Sequence, residues 1–354
     1  MHLAFVDYSK AFDSVEWNAV WNSLSEAGIE APLVLLKRIY QASRSSVIVN
    51  GELVDIELER GIRQGDSLSP KLFTSVLRMC LQKVNWAKRG VKVDGIKISL
   101  LAFADDIVLI GRTQSELKSL LFDLRSAAQT IGLKFNARKT KVMSTDQTTT
   151  TATTLSVQEE QYEYVKEIKY LGCRISLPLD NGKEITQRIQ AGSAAFAQNK
   201  DILESTHTPM SFKKKLFGSC VTPVVLFADE TWTLRQKTAD KLRVSQRKME
   251  RRMAGVTLRD RRTNKWLRRR TGVGDWVKLA CRRKVRWAAR IRDMDGSRLA
   301  KRVTEWTPRE GKRKRGRPTM RWRDLLVKIT GTAAFLRATD QQLHDGLRTQ
   351  RVML

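Results

Sequence analysis

Ile-Lys-Ile-Ser-Leu-Leu-Ala-Phe-Ala-Asp-Asp-Ile-Val-Leu-Ile-Gly, residues 96–111, is the stretch that decides the fold. Two runs of aliphatic and β-branched residues, 98–103 and 107–110, flank the pair Asp105-Asp106, a pattern that predicts a tight β-hairpin with both strands against a core. Adjacent carboxylates repel each other and lose hydration near a core, so they are tolerated mainly where a cation neutralises them. A metal site is therefore the first hypothesis, and a solvated turn is the alternative for an isolated Asp-Asp pair.

A second acidic segment near the start of the chain favours the metal site. An apolar strand over residues 3–6 ends at Asp7, and Asp13 is placed to cap a helix with Glu16 in the capping-box position. Asp7 and Asp105 would together hold two metal ions that clamp the attacking and leaving oxygens of a phosphoryl transfer. Carboxylate oxygens suit Mg²⁺ or Mn²⁺ better than zinc.

Five segments in a fixed order resemble the reverse transcriptase of a non-LTR retrotransposon, a long interspersed element (LINE) closest to the RTE type. Such an ordered set is far more specific than one Asp-Asp pair. The matching segments are Phe-Val-Asp-Tyr-Ser-Lys-Ala-Phe-Asp, residues 5–13 (motif A); Gly-Ile-Arg-Gln-Gly-Asp-Ser-Leu-Ser-Pro, residues 61–70 (motif B); Phe-Ala-Asp-Asp, residues 103–106 (motif C); Gly-Leu-Lys-Phe-Asn-Ala-Arg-Lys-Thr-Lys, residues 132–141 (motif D); and Lys-Tyr-Leu-Gly, residues 169–172 (motif E).

The resemblance implies an α+β fold in three parts. A reverse-transcriptase palm, an antiparallel sheet packed on helices, is expected over residues 1–176, a helical thumb over 177–255, and a basic, mostly helical nucleic-acid-binding region over 256–354. Motif A follows Met1 at once, so the chain is expected to be the C-terminal portion of a longer protein, without fingers and endonuclease. A truncated copy and an incomplete gene model would both give such a chain.

Roles for individual residues also follow from the resemblance. Asp7 and Asp105 would hold the metals, Asp106 would support them, and Lys139, with Lys141 as second choice, would protonate the departing pyrophosphate. Phe12 would lie under the ribose and favour deoxynucleotides, unless it is an ordinary core aromatic. The remaining contacts to template, incoming nucleotide and primer end would come from Arg63, Gln64, Gly65, Tyr170, Leu171 and Gly172. For Arg63 alone, an exposed cation is the competing interpretation.

Apolar periodicity predicts the surrounding elements. Helices are expected over residues 14–27, 32–40, 70–86 and 114–131, and Asn50-Gly51 is expected to turn a hairpin. Three thumb helices are predicted over residues 185–203, 211–227 and 237–253, with Lys213, Lys214 and Lys215 facing a duplex backbone.

Charge indicates the class of partner. The 354 residues carry a formal net charge of +29, which points to a polyanion. Four cysteines without a Cys-x-x-Cys pair favour neither a zinc knuckle nor a disulfide framework. No apolar run approaches the roughly 20 residues that span a bilayer, so no membrane partner is expected. The expected partners are an RNA template, a DNA primer or target, and dNTP; the oligomeric state is left open.

Much of the charge lies near the C-terminus. Residues 251–323 contain 27 lysines and arginines against 6 acidic residues, with five interleaved tryptophans that either stack on bases or pack a small helical domain. A basic run with an Arg-Gly-Arg-Pro core suits either an AT-hook, which inserts into the minor groove, or a nuclear-import signal. The expected location is the nucleus, with a cytoplasmic ribonucleoprotein stage. The run consists of Lys312, Arg313, Lys314, Arg315, Gly316, Arg317 and Pro318.

The function expected from the resemblance is RNA-directed DNA polymerisation, a nucleotidyl transfer that serves DNA integration. Deoxynucleotides would be added to a nicked DNA end on an RNA template by two-metal in-line displacement. The alternative is an inactive or co-opted relic that still binds nucleic acid through its basic region.

Overall fold

A computed structural model describes residues 1–146, 153–306 and 320–330, which divide into two compact units. Unit 1 comprises Met1–Pro178 and unit 2 comprises Leu179–Leu354. All four cysteines are free thiols. None of the described helices combines the length and the apolar character needed to cross a bilayer.

Unit 1 is built on a six-stranded sheet with the order β6-β7-β1-β8-β10-β9. Every neighbouring pair in it is antiparallel except β8 with β10, which are parallel. The remaining strands form three separate hairpins, β2–β3, β4–β5 and β11–β12. The strands are β1 His2–Val6, β2 Arg44–Val49, β3 Glu52–Glu57, β4 Val91–Val93, β5 Ile96–Ile98, β6 Leu100–Phe103, β7 Asp106–Gly111, β8 Lys141–Ser144, β9 Thr154–Val157, β10 Glu160–Tyr164, β11 Glu167–Tyr170 and β12 Cys173–Ser176.

Five helices accompany the strands in the described part of unit 1, and three of them share a core with one face of the large sheet. Alternate residues of β1 and β7, such as Val6 and Leu109, enter the main core with apolar residues of α2, α4 and α5. The intervening residues, such as Phe5 and Val108, form a second cluster with the β11–β12 hairpin. The helices are α1 Ala11–Ser14, α2 Trp17–Glu26, α3 Ala31–Gln41, α4 Ser69–Gln82 and α5 Gln114–Gln129.

Helix α5 shows why the periodicity prediction worked in the core. Leu117, Leu120, Leu121, Leu124 and Ala128 are all buried, as a stripe at helical spacing requires. Thr113 caps the helix, because its hydroxyl oxygen accepts a hydrogen bond from the Glu116 backbone N–H at 3.2 Å. The predicted hairpin at Asn50-Gly51 is also confirmed, with both turn residues at positive φ.

Two predictions about unit 1 are wrong. Strand β7 is buried as expected, but β6 is an edge strand, and Phe103 on it is 66% exposed. Strand β6 has a neighbour on one side only, so apolar residues there do not imply burial. Asp13 does not cap a helix: it lies inside α1, and its carboxylate instead accepts a hydrogen bond from Gln64.

The described part of unit 2 is helical. Its helices surround a second core to which Trp232, Trp276 and Phe217 contribute fully buried rings. A π-helical turn at Phe217–Val221 joins α8 to α9, and a short 3-10 turn follows at Asp229–Thr231. The helices are α6 Asn181–Gln198, α7 Lys200–Leu203, α8 Met210–Leu216, α9 Thr222–Val225, α10 Gln236–Met253, α11 Asn264–Thr271, α12 Trp276–Asp293, α13 Leu299–Glu305 and α14 Trp322–Thr330.

One core joins the regions expected as separate domains, 177–255 and 256–354. Trp276, between the basic residues of the second region, stacks on Phe217 of the first with ring centroids 5.8 Å apart. The Trp276 indole N–H also donates to the Thr222 hydroxyl at 3.2 Å. For this tryptophan the packing interpretation is therefore correct, since a fully buried ring cannot stack on a base.

Candidate active site

The end of β1 and the start of β7 bring two of the predicted aspartates side by side. Val6 pairs with Ile107 in the antiparallel ladder, so the next residues in register, Asp7 and Asp106, occupy opposing positions. Because side chains alternate along a strand, both lie on the face of the sheet that carries Phe5. The strand register therefore creates the acidic pair.

The third aspartate lies in the turn between β6 and β7. Phe103 pairs with Asp106 across the two-residue turn Ala104-Asp105. Ala104 adopts a left-handed conformation, with φ of 52°, which is uncommon for a residue with a Cβ. Asp105 is exposed at this turn, next to the exposed ring of Phe103.

The three carboxylates influence each other electrostatically. Burial raises the pKa of Asp7 above its ordinary value, the Lys139 ammonium opposes that shift, and the Asp105 charge adds to it. Burial likewise raises the pKa of Asp106, and the charges of Asp105 and Asp7 raise it further. Asp7 and Asp106 are therefore harder to ionise than a solvated aspartate.

The donor chemistry of this edge fits a hard divalent cation. The Oδ2 atom of Asp7 is buried and has no hydrogen-bond partner among the described residues, so it is a free oxygen ligand. Within the described part of the chain, no three His, Cys, Asp or Glu side chains stand close enough to form a closed metal site. The three aspartates are thus neighbours at one end of strands β1 and β7. A bound cation would have to bring their carboxylates closer together.

Motif D, in the loop before β8, forms hydrogen bonds with the backbone of Asp7. Asn136 N–H donates to the Asp7 carbonyl oxygen at 2.8 Å, and the Asp7 N–H donates to the Thr140 hydroxyl at 3.2 Å. Tyr8 forms an isolated bridge with Phe135, and their rings meet edge to face. Motif D therefore positions motif A through the backbone.

The structure distinguishes the two lysines proposed for motif D. Lys139 is exposed and acts electrostatically on Asp7. Lys141 instead forms a salt bridge with Glu163 of β10, with Nζ 2.6 Å from the carboxylate oxygen. Of these two ammonium groups, only that of Lys139 influences the pKa of Asp7.

Motif B is attached to motif A by backbone hydrogen bonds. The N–H groups of Gly61 and Ile62 donate to the carbonyl oxygens of Val15 and Phe12 at 2.8 and 2.7 Å. A Cβ at Gly61 would lie 2.9 Å from the Asp13 carbonyl oxygen, so only glycine permits this approach. Gly65, at φ of 89°, has open space where a Cβ would be.

The polar side chains of motif B border a cleft of about 630 Å³. Gln64 donates its side-chain N–H to Asp13 at 3.1 Å, and Arg63 donates to the Ser43 hydroxyl at 2.6 Å. Trp17 and Tyr40 supply aromatic walls. The cleft thus combines aromatic surface with hydrogen-bonding edges.

Phe12 is half-buried and packs against the core. Its ring stacks on Phe73 of α4, with centroids 4.8 Å apart and planes 20° apart. The ring is thus held rigidly from one side while part of it stays accessible. This position is compatible both with core packing and with a steric role toward a sugar.

Motif E forms the turn between β11 and β12 and packs next to the aspartates. Tyr170 meets Phe5 edge to face at 5.4 Å, and burial and then the Asp106 charge raise the pKa of the Tyr170 hydroxyl. Leu171 and Gly172 make the turn with φ of 47° and 78°, and Leu171 is 43% exposed. Leu171 is thus accessible at the turn that follows Tyr170, and its role as a primer contact stays a prediction.

The structure gives different outcomes for two predicted groups of basic residues, Lys213 to Lys215 and Lys312 to Arg317. Lys213 does not face a nucleic acid: it is buried, and its ammonium group donates to the Met253 carbonyl oxygen at 2.9 Å. Lys214 and Lys215 are exposed. The predicted basic run, Lys312 to Arg317, lies outside the described residues.

Thr140 is a supporting residue that the sequence reasoning missed. Its side chain is fully buried while its hydroxyl accepts the Asp7 N–H. A threonine between Arg-Lys and Lys gives no sequence signal for burial, because that context is typical of exposed chain. Only the pairing of β1 with β8 shows that the threonine lies beneath Asp7.

Comparison with known proteins identifies the class of the first half of the chain. Residues 1–175 match the family model described as reverse transcriptase (RNA-dependent DNA polymerase). A transposon-derived protein of Caenorhabditis elegans is 31% identical over 244 residues, which cover 67% of this chain and 87% of that protein. Among solved structures, apo telomerase from Candida tropicalis aligns with 86% of this chain and 53% of its own, at 12% identity and a TM-score of 0.40.

Proteins of non-LTR retrotransposons are also similar to this chain. The Pol polyprotein of the R2 element from Nasonia vitripennis is 33% identical over 143 residues, which cover 39% of this chain and 14% of the polyprotein. A 115 kDa protein of the R1 element from Drosophila melanogaster is 24% identical over 239 residues, covering 64% of this chain and 22% of that protein. The chain therefore spans only a small part of the length of these polyproteins.

Proposed function

The chain belongs to the reverse transcriptase family, among the proteins of non-LTR retrotransposons, and from this membership we propose that it is an RNA-directed DNA polymerase. The reaction adds deoxynucleotides to the 3′ end of a DNA primer on an RNA template. The observation that carries the proposal is the strand register that sets Asp7 opposite Asp106, with Asp105 in the adjoining turn.

A divalent cation is part of this proposal. Reverse transcriptases use divalent metals, and the all-oxygen donor set of Asp7, Asp105 and Asp106 suits Mg²⁺ or Mn²⁺. When bound, the metal supplies Lewis acidity for the attacking and leaving oxygens of phosphoryl transfer. The buried, unpartnered Oδ2 atom of Asp7 supports this assignment.

The residues around the aspartates supply binding and proton transfer. Lys139, exposed beside Asp7, is the group that protonates the departing pyrophosphate. The partly exposed ring of Phe12 excludes a ribose 2′-hydroxyl by contact. The template and the incoming nucleotide meet Arg63 and Gln64, which line the cleft, and the neighbouring Gly65. The primer end meets the motif E turn of Tyr170, Leu171 and Gly172.

Primer extension on poly(rA)/oligo(dT) with dTTP and Mg²⁺ tests the proposal. The chain is expected to extend the primer, and Asp105→Ala is expected to lower the rate at least about a hundredfold, because it removes a metal ligand. Asp105 is exposed, so its loss leaves the fold intact. Asp55→Ala, an exposed aspartate of β3 outside the motifs, is the matched control and should retain full activity.

A second candidate function, nucleic-acid binding without catalysis, is favoured by one observation. The described part of unit 2 presents many exposed arginines and lysines. If the unchanged chain and Asp105→Ala give the same background of extension, the polymerase proposal fails and the binding function remains.

A further inference from the structure

Helix α11 and the loop before it form a strongly cationic surface outside the candidate active site. Residues 251–271 contain nine lysines and arginines and one acidic residue, Asp260. Asp260 accepts two hydrogen bonds from Thr257, through the backbone N–H and the hydroxyl. Among the described residues, Lys265, Arg269 and Arg270 form no salt bridge.

The basic side chains of α11 lie on the side of the helix that faces away from the core. Leu267 and Thr271 point into the core, so Lys265 and Arg269, one turn apart, lie on the opposite side of the helix, and both are exposed. Like charges one turn apart repel each other. Lys265 and Arg269 therefore form an outward stripe of positive charge without a salt bridge among the described residues, whereas Arg268 pairs with Asp275 and the charge of Arg262 helps to lower the pKa of Asp260.

Trp266 lies at the side of this stripe. It is partly exposed, and the Arg262 guanidinium sits 5.2 Å from the centroid of its ring. Arg270 follows Trp266 by one turn on the same side of α11. An accessible indole bordered by arginines suits stacking on an unpaired base, with its phosphates held by the cations.

The neighbouring helix α8 adds charge at this side. The positive charge of Arg270 is among the causes that lower the pKa of Lys213, after burial, so the two cations are close. A Cβ built on Gly272, at the end of α11, would lie 3.4 Å from the Lys214 ammonium, which is exposed. Two helices thus crowd positive charge beside one accessible aromatic ring.

We propose that Arg262, Lys265, Trp266, Arg269 and Arg270, here called the α11 platform, bind single-stranded nucleic acid. Lys265, Arg269 and Arg270 contact successive phosphates, and one base stacks on Trp266. In a duplex the bases are paired and stacked on one another, so no base face is free to stack on the indole ring of Trp266. The α11 platform therefore binds single strands in preference to duplexes.

Fluorescence anisotropy with labelled oligo(U), oligo(dT) and a duplex of equal length tests this without metal or dNTP, independently of polymerase activity. Lys265→Ala with Arg269→Ala removes two phosphate contacts, so the slope of log affinity against log salt should become shallower by about 1.4 for single strands. Trp266→Ala should weaken single-strand binding about tenfold with the slope unchanged, and Trp266→Phe should retain most of the affinity. Comparing oligo(U) with oligo(dT) shows which strand the platform prefers.

Lys92→Ala with Lys97→Ala is the matched control. These lysines form an exposed cross-strand pair on β4–β5, and removing them takes away the same charge without touching an aromatic platform. An equal loss of affinity in this control would overturn the proposal, because charge alone would then explain binding. An unchanged Trp266→Ala variant, or equal losses for duplex and single strands, would also overturn it. Circular dichroism confirms that each variant is folded.

Discussion

Asp106 is a residue whose ionised carboxylate destabilises the native state. Its pKa is raised by burial and by two neighbouring carboxylates, so the native state binds the proton more tightly than the unfolded chain does. Stability must therefore fall as pH rises from the ordinary aspartate value of 3.8 through the raised native value. Below 3.8 the carboxyl is protonated in both states and this penalty disappears.

Asp106→Asn should consequently stabilise the protein at neutral pH. In EDTA its Tm is expected to exceed that of the unchanged chain slightly, because the repulsion with Asp7 and Asp105 is gone but is partly screened by water at this exposed residue. The difference should shrink as pH falls toward 3.8, and Mg²⁺ should stabilise the unchanged chain more than the variant. Thermal unfolding by circular dichroism between pH 3.8 and neutral pH measures this difference in Tm. A lower Tm for the variant at neutral pH would contradict the argument.

Lys139 and Lys141 give a second prediction at the residue scale. Lys139→Ala should slow nucleotide addition about a hundredfold with little change in Tm, because it removes the candidate acid and no salt bridge. Lys141→Ala should leave the rate near normal and cost at most about 1 kcal/mol through the lost pair with Glu163. Single-turnover extension and thermal unfolding on both variants separate the roles, and reversed effects would assign catalysis to Lys141.

At the scale of elements, the sequence predicts locally encoded structure well and structure that depends on distant contacts poorly. The α5 stripe and the Asn50-Gly51 hairpin follow from local rules, since periodicity and turn chemistry are written in neighbouring residues. The exposure of β6 and the burial of Lys213 depend on which distant element lies alongside. No local pattern contains that information.

The candidate site likewise has some features that local sequence predicts and others that depend on the pairing of distant strands. Its carboxylates and its five segments are visible in the sequence because their residue types and order are distinctive. The opposing positions of Asp7 and Asp106 require the β1–β7 register, and the support by Thr140 requires the β1–β8 pairing. Residues 99 and 133 positions apart in the chain create these two arrangements, so local spacing could not reveal them.

The attachment of motif B to motif A yields a prediction at the element scale. Gly61 and Gly65 have nearly equal φ values, 92° and 89°, but only Gly61 faces a backbone atom. Gly65→Ala should cost about 1–2 kcal/mol for the left-handed conformation. Gly61→Ala should cost about 3–5 kcal/mol, because steric overlap with Asp13 is added to that strain. Urea unfolding of both variants measures the difference, and equal costs would show that the contact with Asp13 relaxes freely.

At the scale of the whole molecule, each unit has its own core. Leu109 is fully buried in the sheet of unit 1, and Trp276 is fully buried among the helices of unit 2. Basic residues of α10 and α12 lie on helices that form the core around Trp276, so this described part of the charged region belongs to a folded core. Charge variants on exposed positions therefore test binding better than deletion of residues 251–323, which would remove core side chains.

Two cores predict two unfolding transitions. Leu109→Ala should destabilise unit 1 by about 2–5 kcal/mol, and Trp276→Ala should destabilise unit 2 by about 3–5 kcal/mol, since each leaves a cavity in one core only. In scanning calorimetry each variant is expected to lower one transition and leave the other in place. A single transition that both substitutions shift equally would mean that the cores unfold as one cooperative unit, because destabilising either would then destabilise both.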